Sequence, residues 1–447
     1  MSGEDLSMPA PFSVQTLQKR ERGSLENPEI LLEELVPMNR TIVSDDMDKA
    51  ADLLDRAMGF PAKRYRYPSG TEYGSWIVPP SWNLLQAHLS DGEKTIASHR
   101  DHVLFVAPYS MPFEGWVSRD DLLRDHVVTS KTADDVFFYQ HRLAYDYQRQ
   151  LKEWQISLPG RVVKELDRDR YFVKIDADVR PGTLNVLEYT APGEEAASVA
   201  ILTHLCHSGQ ANDGLSGVLA GMELIQRFRS KPRRFTYKLL ILPETIGSAV
   251  HVVAQKLSPR DFLCAVFLET MGRGERLYLK HTRTADRPMD LAIKSIVREN
   301  PALGTHAFYD GYGNDELVFD FANVGIPAAG IQYYPFPEYH SSRDGADLMD
   351  WALWKRAVDL TEELFSRIER DRLIRLKHAG PPYLSRYRLY ADAVTERQRF
   401  LRIAKLLTFC DGRHTLLQMC EASGISFEEA AAFFDALRKE GLLESDL

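Results

Sequence analysis

The sequence predicts an α/β protein in which a mostly parallel sheet is covered by helices on both faces. Continuous apolar runs such as "SVAILTHL", "YKLLILP" and "CAVFLET" alternate with segments of helical spacing between about residues 154 and 368. Parallel strands are buried on both faces and therefore read as unbroken apolar runs, and the intervening helices cover them. At 447 residues the chain is also too long for one ordinary domain, so further units are expected.

The residue composition and the spacing of apolar residues change at three points, which divide the chain into four segments. Residues 30–63 form an N-terminal helical part, because "DDMDKAADLLDRAMGF" has one apolar helical face. Residues 64–150 hold short aromatic and β-branched runs broken by Pro and Gly, which indicate an inserted β-rich domain. Residues 151–378 contain the strand–helix alternation. Residues 379–447 have the helical spacing of a helix-turn-helix with a rudimentary wing.

Composition excludes several classes of function. The net charge of −9 arises from 55 basic and 64 acidic residues mixed along the chain, so neither nucleic acid nor an anionic membrane is an expected partner. The leader "MSGEDLSMPAPF" lacks the apolar core of a signal peptide. The four cysteines are too scattered for a disulfide framework or a zinc knuckle. We therefore expect a cytoplasmic protein.

Side chains that bind metals recur where the apolar runs end. His204 and His207 follow "AIL", Glu244 follows "LLILP", Glu269 follows "AVFL", and His340 lies in the loop after "AAGIQYYPFPEY". Open parallel sheets place their ligands at the carboxyl edge of the strands, so these residues are predicted to converge there.

Asp213 joins this set because the apolar spacing of Leu215 and Val218 marks a helix that begins just after it. Imidazoles together with three carboxylates suit Zn²⁺, and the carboxylates would repel one another without a cation. Zinc lowers the pKa of a bound water, and a nearby glutamate can carry its proton to a leaving amine. This chemistry is amide hydrolysis.

Each of these residues also has a structural explanation. His207 could be a loop hydrogen-bonding residue, Glu244 a strand-end cap beside Pro243, and Glu269 the partner of an arginine. Cys206 could be a soft ligand or a nucleophile, although no dedicated base for a thiol is visible.

With these residues placed, the central region resembles the zinc aminopeptidases of the M28 type. The whole chain resembles a bacterial group with an aminopeptidase-like domain, a β-rich insertion near its start and a C-terminal winged helix. The phrases that carry this resemblance run in order from Arg64 onward: "WIVPPSW", "PYSMPFEGWVS", "THLCHSGQANDGLSGV", "LPETIGS", "YGNDE", "EYHSSRD" and "LTFCDGRHTLLQM".

The resemblance implies a role for each matched residue. His204 matches the metal-binding histidine that closes a strand, and Asp213 matches the aspartate that can bridge two metals. Glu269 and His340 match the remaining ligands. Glu244 stands alone where M28 enzymes have two adjacent glutamates, one the general base and one a ligand. We therefore expect Glu244 to be the general base beside one zinc ion, with two metals as the weaker alternative.

Two further features follow from the comparison with this family. Cys206 stands where M28 enzymes have an aspartate that orients the histidine, so His207 is expected as an alternative or additional ligand. In "YGNDELVFD", residues Asn314, Asp315 and Glu316 are predicted to lie near the cleft and to hold the α-amine of a substrate.

The resulting hypothesis is a zinc-dependent aminopeptidase or related amidohydrolase that acts on a small peptide or aminoacyl amide, with self-association into a homo-oligomer left open. One alternative is a zinc-binding scaffold without turnover. Another is a DNA-binding regulator on a disused peptidase core. The acidic character of the candidate recognition helix, "FEEAAAFFDALRKEG", argues against groove binding.

Overall fold

The computed structural model describes residues 25–444, and an eight-stranded mixed sheet forms its centre. The prediction about the leader therefore falls on residues 1–24, outside the described part, as do the last three residues of the predicted C-terminal unit. In spatial order the strands are Lys63–Pro68, Thr183–Ala191, Thr236–Leu242, Ser198–His204, Cys264–Glu269, Ala328–Tyr334, Arg276–Lys280 and Gly304–His306.

The four central strands of this sheet are mutually parallel. Ser198–His204 pairs in parallel with Thr236–Leu242 on one side and with Cys264–Glu269 on the other. Cys264–Glu269 in turn pairs in parallel with Ala328–Tyr334. Antiparallel pairs occur only towards the two margins of the sheet. The predicted mostly parallel sheet is confirmed, with its parallel part where the unbroken apolar runs lie.

Both faces of the sheet are buried, as its strands require. Along Ser198–His204, Val199 and Ile201 point into one hydrophobic cluster, while Ala200 and Leu202 point into the other. This alternation follows from the two-residue period of a strand. The main helices around the sheet are Pro28–Leu35, Asp45–Met58, Leu215–Arg229, Ile246–Gln255, Pro288–Glu299, Asp315–Phe319 and Trp351–Arg370.

The helix Asp45–Met58 shows how local sequence sets these elements. The side chain of Ser44 accepts a hydrogen bond from the backbone N–H of Met47, and Gly59 ends the helix in the left-handed conformation with φ 75°. Acidic residues in the first turn complement the helix dipole.

A second, four-stranded antiparallel sheet packs beside the first. Its order is Thr95–Ser98, Ser81–Ser90, Arg170–Arg180 and Phe113–Ser118. Its strands therefore come from residues 81–180, a span that begins and ends later than the predicted insertion. The apolar side chains of this unit share one hydrophobic cluster with a face of the large sheet. Two pairs of short strands are Glu72–Tyr73 with Trp76–Ile77 and Val127–Val128 with Ile156–Ser157.

A winged helix follows the large sheet, as predicted. It contains the helices Arg397–Leu407, Leu416–Ser423 and Phe427–Lys439 and a two-stranded sheet of Leu373–Arg375 and Asp411–Thr415. Its buried residues belong to the same hydrophobic cluster as those of the central helices. Within residues 25–444, no helix has the length and apolar character needed to cross a membrane.

Candidate functional site

The predicted metal ligands lie at the carboxyl edge of the parallel strands. His204 and Glu269 are the last residues of their strands and are buried. Glu244 follows the neighbouring strand by two residues, and His340 lies in the loop after the fourth parallel strand. The structure therefore brings together residues that are as much as 136 positions apart, from 204 to 340.

Asp213 occupies the centre of this group and is fully buried. Its Oδ1 lies 3.5 Å from Nε2 of His204, and its Oδ2 lies 3.1 Å from Nε2 of His340 and 4.0 Å from Nε2 of His207. Oε1 of Glu269 is 3.7 Å from Nε2 of His204. The two oxygens of Asp213 thus face different imidazole rings.

Several buried polar atoms of this group have no partner in hydrogen-bond geometry within residues 25–444. The set comprises both ring nitrogens of His204, both carboxylate oxygens of Asp213 and Glu269, and Nε2 of His340. An unpaired buried polar group costs about 1–3 kcal/mol, and clustered carboxylates repel one another without a cation. Zn²⁺ binds imidazole nitrogens and carboxylate oxygens. The ligand atoms of His204, His207 and Asp213 lie within 4.8 Å of one another, so these residues fit a zinc ion.

The carboxylate of Asp344 binds the backbone of the loop that carries Asp213. The backbone N–H groups of Asn212 and Asp213 donate to the two carboxylate oxygens of Asp344 at 2.7 and 2.9 Å. Gly214 has φ 97°, and a Cβ there would lie 2.6 Å from Cδ2 of His204. Only glycine fits this close approach.

The turn between the two histidines is held by Arg40. This guanidinium is fully buried and donates to the carbonyl oxygens of Leu35 at 3.0 Å, of His207 at 2.5 Å and of Leu205. Burial lowers the pKa of Arg40 to about 10, so the side chain stays charged at neutral pH. The fixed carbonyl groups orient the backbone on either side of Cys206.

Glu244 lies at the outer side of the group. Its Oε2 is 3.2 Å from Nε2 of His207, and its side chain is 15% exposed whereas that of His204 is fully buried. Burial raises the pKa of Glu244 to about 8. The turn is fixed at its backbone, because the N–H of Glu244 donates to Sγ of Cys206 at 3.1 Å and the hydroxyl of Tyr145 donates to its carbonyl oxygen at 3.1 Å.

Cys206 has the environment of a structural cysteine. It is buried, and Sγ lies 3.8 Å from Nδ1 of His207 and accepts the backbone hydrogen bond from Glu244. Burial raises the pKa of the Cys206 thiol well above its usual range. A thiolate nucleophile is therefore disfavoured at neutral pH.

Asp315 contacts the turn that carries Glu244. It is fully buried, accepts a hydrogen bond from the backbone N–H of Thr245 at 2.9 Å and accepts another from the hydroxyl of Ser248. Burial raises the pKa of Asp315 to about 6. Its other oxygen, Oδ2, has no hydrogen-bond partner among the described residues.

The neighbouring Glu316 is engaged by the protein itself. Nζ of Lys280 lies 2.7 Å from its Oε1, and both side chains are buried. Its Oε2 accepts the backbone N–H of Asn314 at 3.0 Å. Binding of a substrate amine by Asn314, Asp315 and Glu316 stays a prediction, and Glu316 already has a cationic partner.

Residues of the inserted unit complete the wall of the site, and sequence reasoning missed them. The ring of Tyr139 lies 4.9 Å from that of His207 and 5.0 Å from that of His340. The ring of His141 lies 5.4 Å from that of His340. The one signal in the sequence was the aromatic-rich run "FFYQHRLAYDY", which contains His141 and Tyr145.

Two domain families match this chain. Residues 30–371 match a domain of unknown function (DUF4910), and residues 372–445 match a winged helix-turn-helix. A relative from Clostridium acetobutylicum is 26% identical over 422 residues, which cover 93% of this chain and 95% of the relative. That protein is described as a polysaccharide biosynthesis protein with an aminopeptidase-like domain.

Solved structures with the same fold include peptidases. A peptidase from Clostridium acetobutylicum has a TM-score of 0.81 at 23% identity and covers 93% of this chain and 95% of its own. BSAP, a zinc aminopeptidase from Bacillus subtilis, has a TM-score of 0.55 at 13% identity and covers 78% and 96%. A peptidase M28 precursor from Shewanella amazonensis has a TM-score of 0.54 at 13% identity and covers 79% and 95%.

The fold expected from the M28 resemblance is therefore confirmed. The DUF4910 match covers more than half of the chain. The chain accordingly belongs to the DUF4910 family, with an M28-like peptidase fold and a C-terminal winged helix.

Proposed function

We propose that this protein is a zinc-dependent aminopeptidase or related amidohydrolase of a small amine-bearing substrate. One observation carries the proposal: the buried ligand atoms of His204, Asp213, Glu269 and His340 have no hydrogen-bond partner among the described residues. We assign one zinc ion to this group, with His207 as an alternative or additional ligand, because the ligand atoms of His204, His207 and Asp213 lie within 4.8 Å of one another. The shared fold with zinc aminopeptidases supports this assignment.

The chemistry requires an electrophilic centre and a base. Zinc held by this set supplies Lewis acidity, which polarises a carbonyl and lowers the pKa of water. Glu244 is assigned as the base, because it is the acidic residue of the group that reaches the outer side. Its Oε2 accepts a proton from the attacking water and delivers it to the leaving amine. The oxygen of water bonds to the acyl carbon, the C–N bond breaks, and an acid and an amine result.

The walls favour short substrates. Tyr139 packs over the imidazoles, and Tyr145 is bonded to the backbone of Glu244. Both residues belong to the inserted unit, which covers the carboxyl edge of the sheet. A folded protein therefore has little access to the candidate site. We therefore assign short peptides and aminoacyl amides as the substrate class.

A hydrolysis screen tests the proposal. Wild type purified without chelator should hydrolyse aminoacyl amides or short peptides, lose activity with chelator and regain it with Zn²⁺. Glu244→Gln should remain folded and lose activity by at least about a hundredfold, because it removes the base but keeps the shape of the side chain. Full activity in Glu244→Gln would refute the assigned base.

The alternatives make different predictions. A zinc-binding scaffold would bind metal but hydrolyse none of these substrates. A winged-helix regulator would bind DNA in a salt-sensitive manner in a gel shift at low salt. The second is disfavoured because the N-terminus of its candidate recognition helix packs on the core: Phe427 is buried, and Oε1 of Glu428 lies 2.6 Å from Arg370.

A further inference from the structure

A segment of the inserted unit, residues 137–145, bridges the two sides of the candidate site. We call it the bridging segment. Near its start, the backbone N–H of Tyr139 donates to the carbonyl oxygen of His340 at 2.8 Å. At its end, the hydroxyl of Tyr145 donates to the carbonyl oxygen of Glu244 at 3.1 Å. The segment therefore connects the loop of an assigned ligand with the turn of the assigned base.

His141 lies in the middle of the bridging segment, at the start of the short helix Arg142–Tyr145. Its carbonyl oxygen accepts the backbone N–H of Ala144 at 3.0 Å, and its ring is 5.4 Å from that of His340. Hydrogen bonds therefore fix the chain both before and after His141. The side chain nitrogen Nδ1 is buried, yet within residues 25–444 it has no hydrogen-bond partner.

The buried cations near the site already have partners. Lys280 is bound to Glu316, and the guanidinium of Arg40 donates to backbone carbonyl groups. The carboxylates of the site can only accept hydrogen bonds when they are ionised. An oxygen atom of a bound substrate therefore has the imidazole N–H of His141 as an available donor.

We propose that His141 is a further catalytic residue, whose Nδ1–H donates a hydrogen bond to the carbonyl oxygen of the scissile amide. This inference rests on the proposed function, because it names the group that binds the acyl oxygen in that reaction. As water adds to the acyl carbon, the carbonyl electron pair moves onto this oxygen, and the donor stabilises the developing charge. His141 keeps its proton, while the proton from water goes through Glu244 to the amine.

Three variants of the full-length, zinc-loaded protein test the proposal. His141→Phe keeps a ring but removes the donor, and His141→Asn restores an N–H near the position of Nδ1. His88→Phe is the matched control, because His88 lies in a strand of the small sheet that pairs with Thr95–Ser98 and Arg170–Arg180. The readouts are zinc content, thermal stability, kcat and KM on an aminoacyl amide, and calorimetric binding of aminomethylphosphonic acid, a tetrahedral anion.

We expect His141→Phe to keep its zinc and its stability while kcat/KM falls about a hundredfold, mainly through kcat, the effect typical of losing one such donor. His141→Asn should recover part of this loss. Affinity for aminomethylphosphonic acid should fall in His141→Phe and not in His88→Phe.

Other outcomes overturn the inference in distinguishable ways. If His141→Phe is as active as wild type and binds the phosphonic acid equally well, His141 is only part of the wall, and the proposed function stands. If the variant loses zinc, the residue has a structural role. If wild type itself holds no zinc and hydrolyses nothing, the proposed function fails and the inference fails with it.

Discussion

At the scale of single residues, the candidate site depends on side chains outside the proposed set of metal ligands. Asp344 accepts backbone hydrogen bonds from the loop of Asp213, which lies 131 residues earlier in the chain. Arg40, which lies 167 residues before His207 in the sequence, donates a hydrogen bond to the carbonyl oxygen of His207. Such supporting groups orient ligands and tune affinity. The proposed ligands are therefore oriented by hydrogen bonds within the protein itself.

The substitution Asp344→Asn should weaken zinc binding while the fold survives. Each of the two carboxylate oxygens of Asp344 accepts a hydrogen bond from a backbone N–H group. The side-chain amide of asparagine has one acceptor oxygen, so its NH₂ group would face the second N–H group, which is also a donor. We expect zinc affinity to fall about tenfold or more, as measured by competition with a chromogenic chelator. Asp347→Asn is the control, because Asp347 is exposed three residues further on. Equal affinities in the two variants would contradict the role of Asp344.

The sequence predicted which of the proposed site residues lie at the sheet edge, but not the residues that support them. His204, Glu269 and His340 were predictable, because strands of a parallel sheet end at a common edge. Arg40 and Asp344 carried no comparable signal: each bonds to backbone carbonyl or N–H groups, which every residue possesses. Their roles depend on tertiary contacts that no local pattern encodes.

At the scale of elements, the helix Ile246–Gln255 connects the site to the first strand of the large sheet. The helix follows the turn of Glu244, and its His251 lies 2.7 Å, Nδ1 to Oη, from Tyr67 on the first strand of the large sheet. Burial, with smaller effects from Lys63 and Lys238, lowers the pKa of His251 to about 4. The imidazole is therefore neutral in the folded protein at neutral pH.

His251 should make stability fall on mild acidification. Its pKa is about 4 when folded and about 6.5 in the unfolded chain, so the unfolded state binds the proton first as the pH drops. The contribution of this group is complete above about pH 6.5 and should decrease by about 2 kcal/mol between pH 7 and pH 5.

Denaturant unfolding at the two pH values measures this effect. His251→Phe provides the reference, because it lacks the titrating group and should lose correspondingly less stability on acidification. An identical pH dependence in wild type and variant would show that His251 does not titrate as its burial implies.

The elements themselves were predictable to different degrees. The parallel strands stand out as unbroken apolar runs, and the helix after Asp213 stands out by its spacing. The small sheet was less predictable, because Ser81–Ser90 pairs with Arg170–Arg180 across about ninety residues. The bridging segment has no regular periodicity, so its position over the site became visible only in three dimensions.

At the scale of the whole molecule, the winged helix is part of the folded body. Phe427 begins its last helix and is fully buried, and its backbone N–H donates to Glu299 of the central domain at 3.0 Å. The guanidinium groups of Arg367 and Arg370 lie over its ring at 5.6 and 5.0 Å. The continuous hydrophobic cluster implies that both parts unfold together.

The substitution Phe427→Ala should destabilise the entire chain. Removing a fully buried phenylalanine costs about 3–5 kcal/mol, and here the cavity lies between two parts of the molecule. Calorimetry should show one thermal transition that moves to lower temperature. Phe321→Ala, at a side chain that is 60% exposed, should have little effect. Two separate transitions, with only one shifted, would show that the winged helix folds independently.

We propose that the sheet-edge cluster of His204, Asp213, Glu269 and His340 binds zinc. Elemental analysis of protein purified without chelator tests it most directly, with wild type beside His340→Ala and Glu244→Gln. We expect about one zinc ion per chain in wild type and in Glu244→Gln, and loss of that zinc in His340→Ala. Wild-type protein that binds no metal even after zinc is supplied would show that this cluster is not a zinc site.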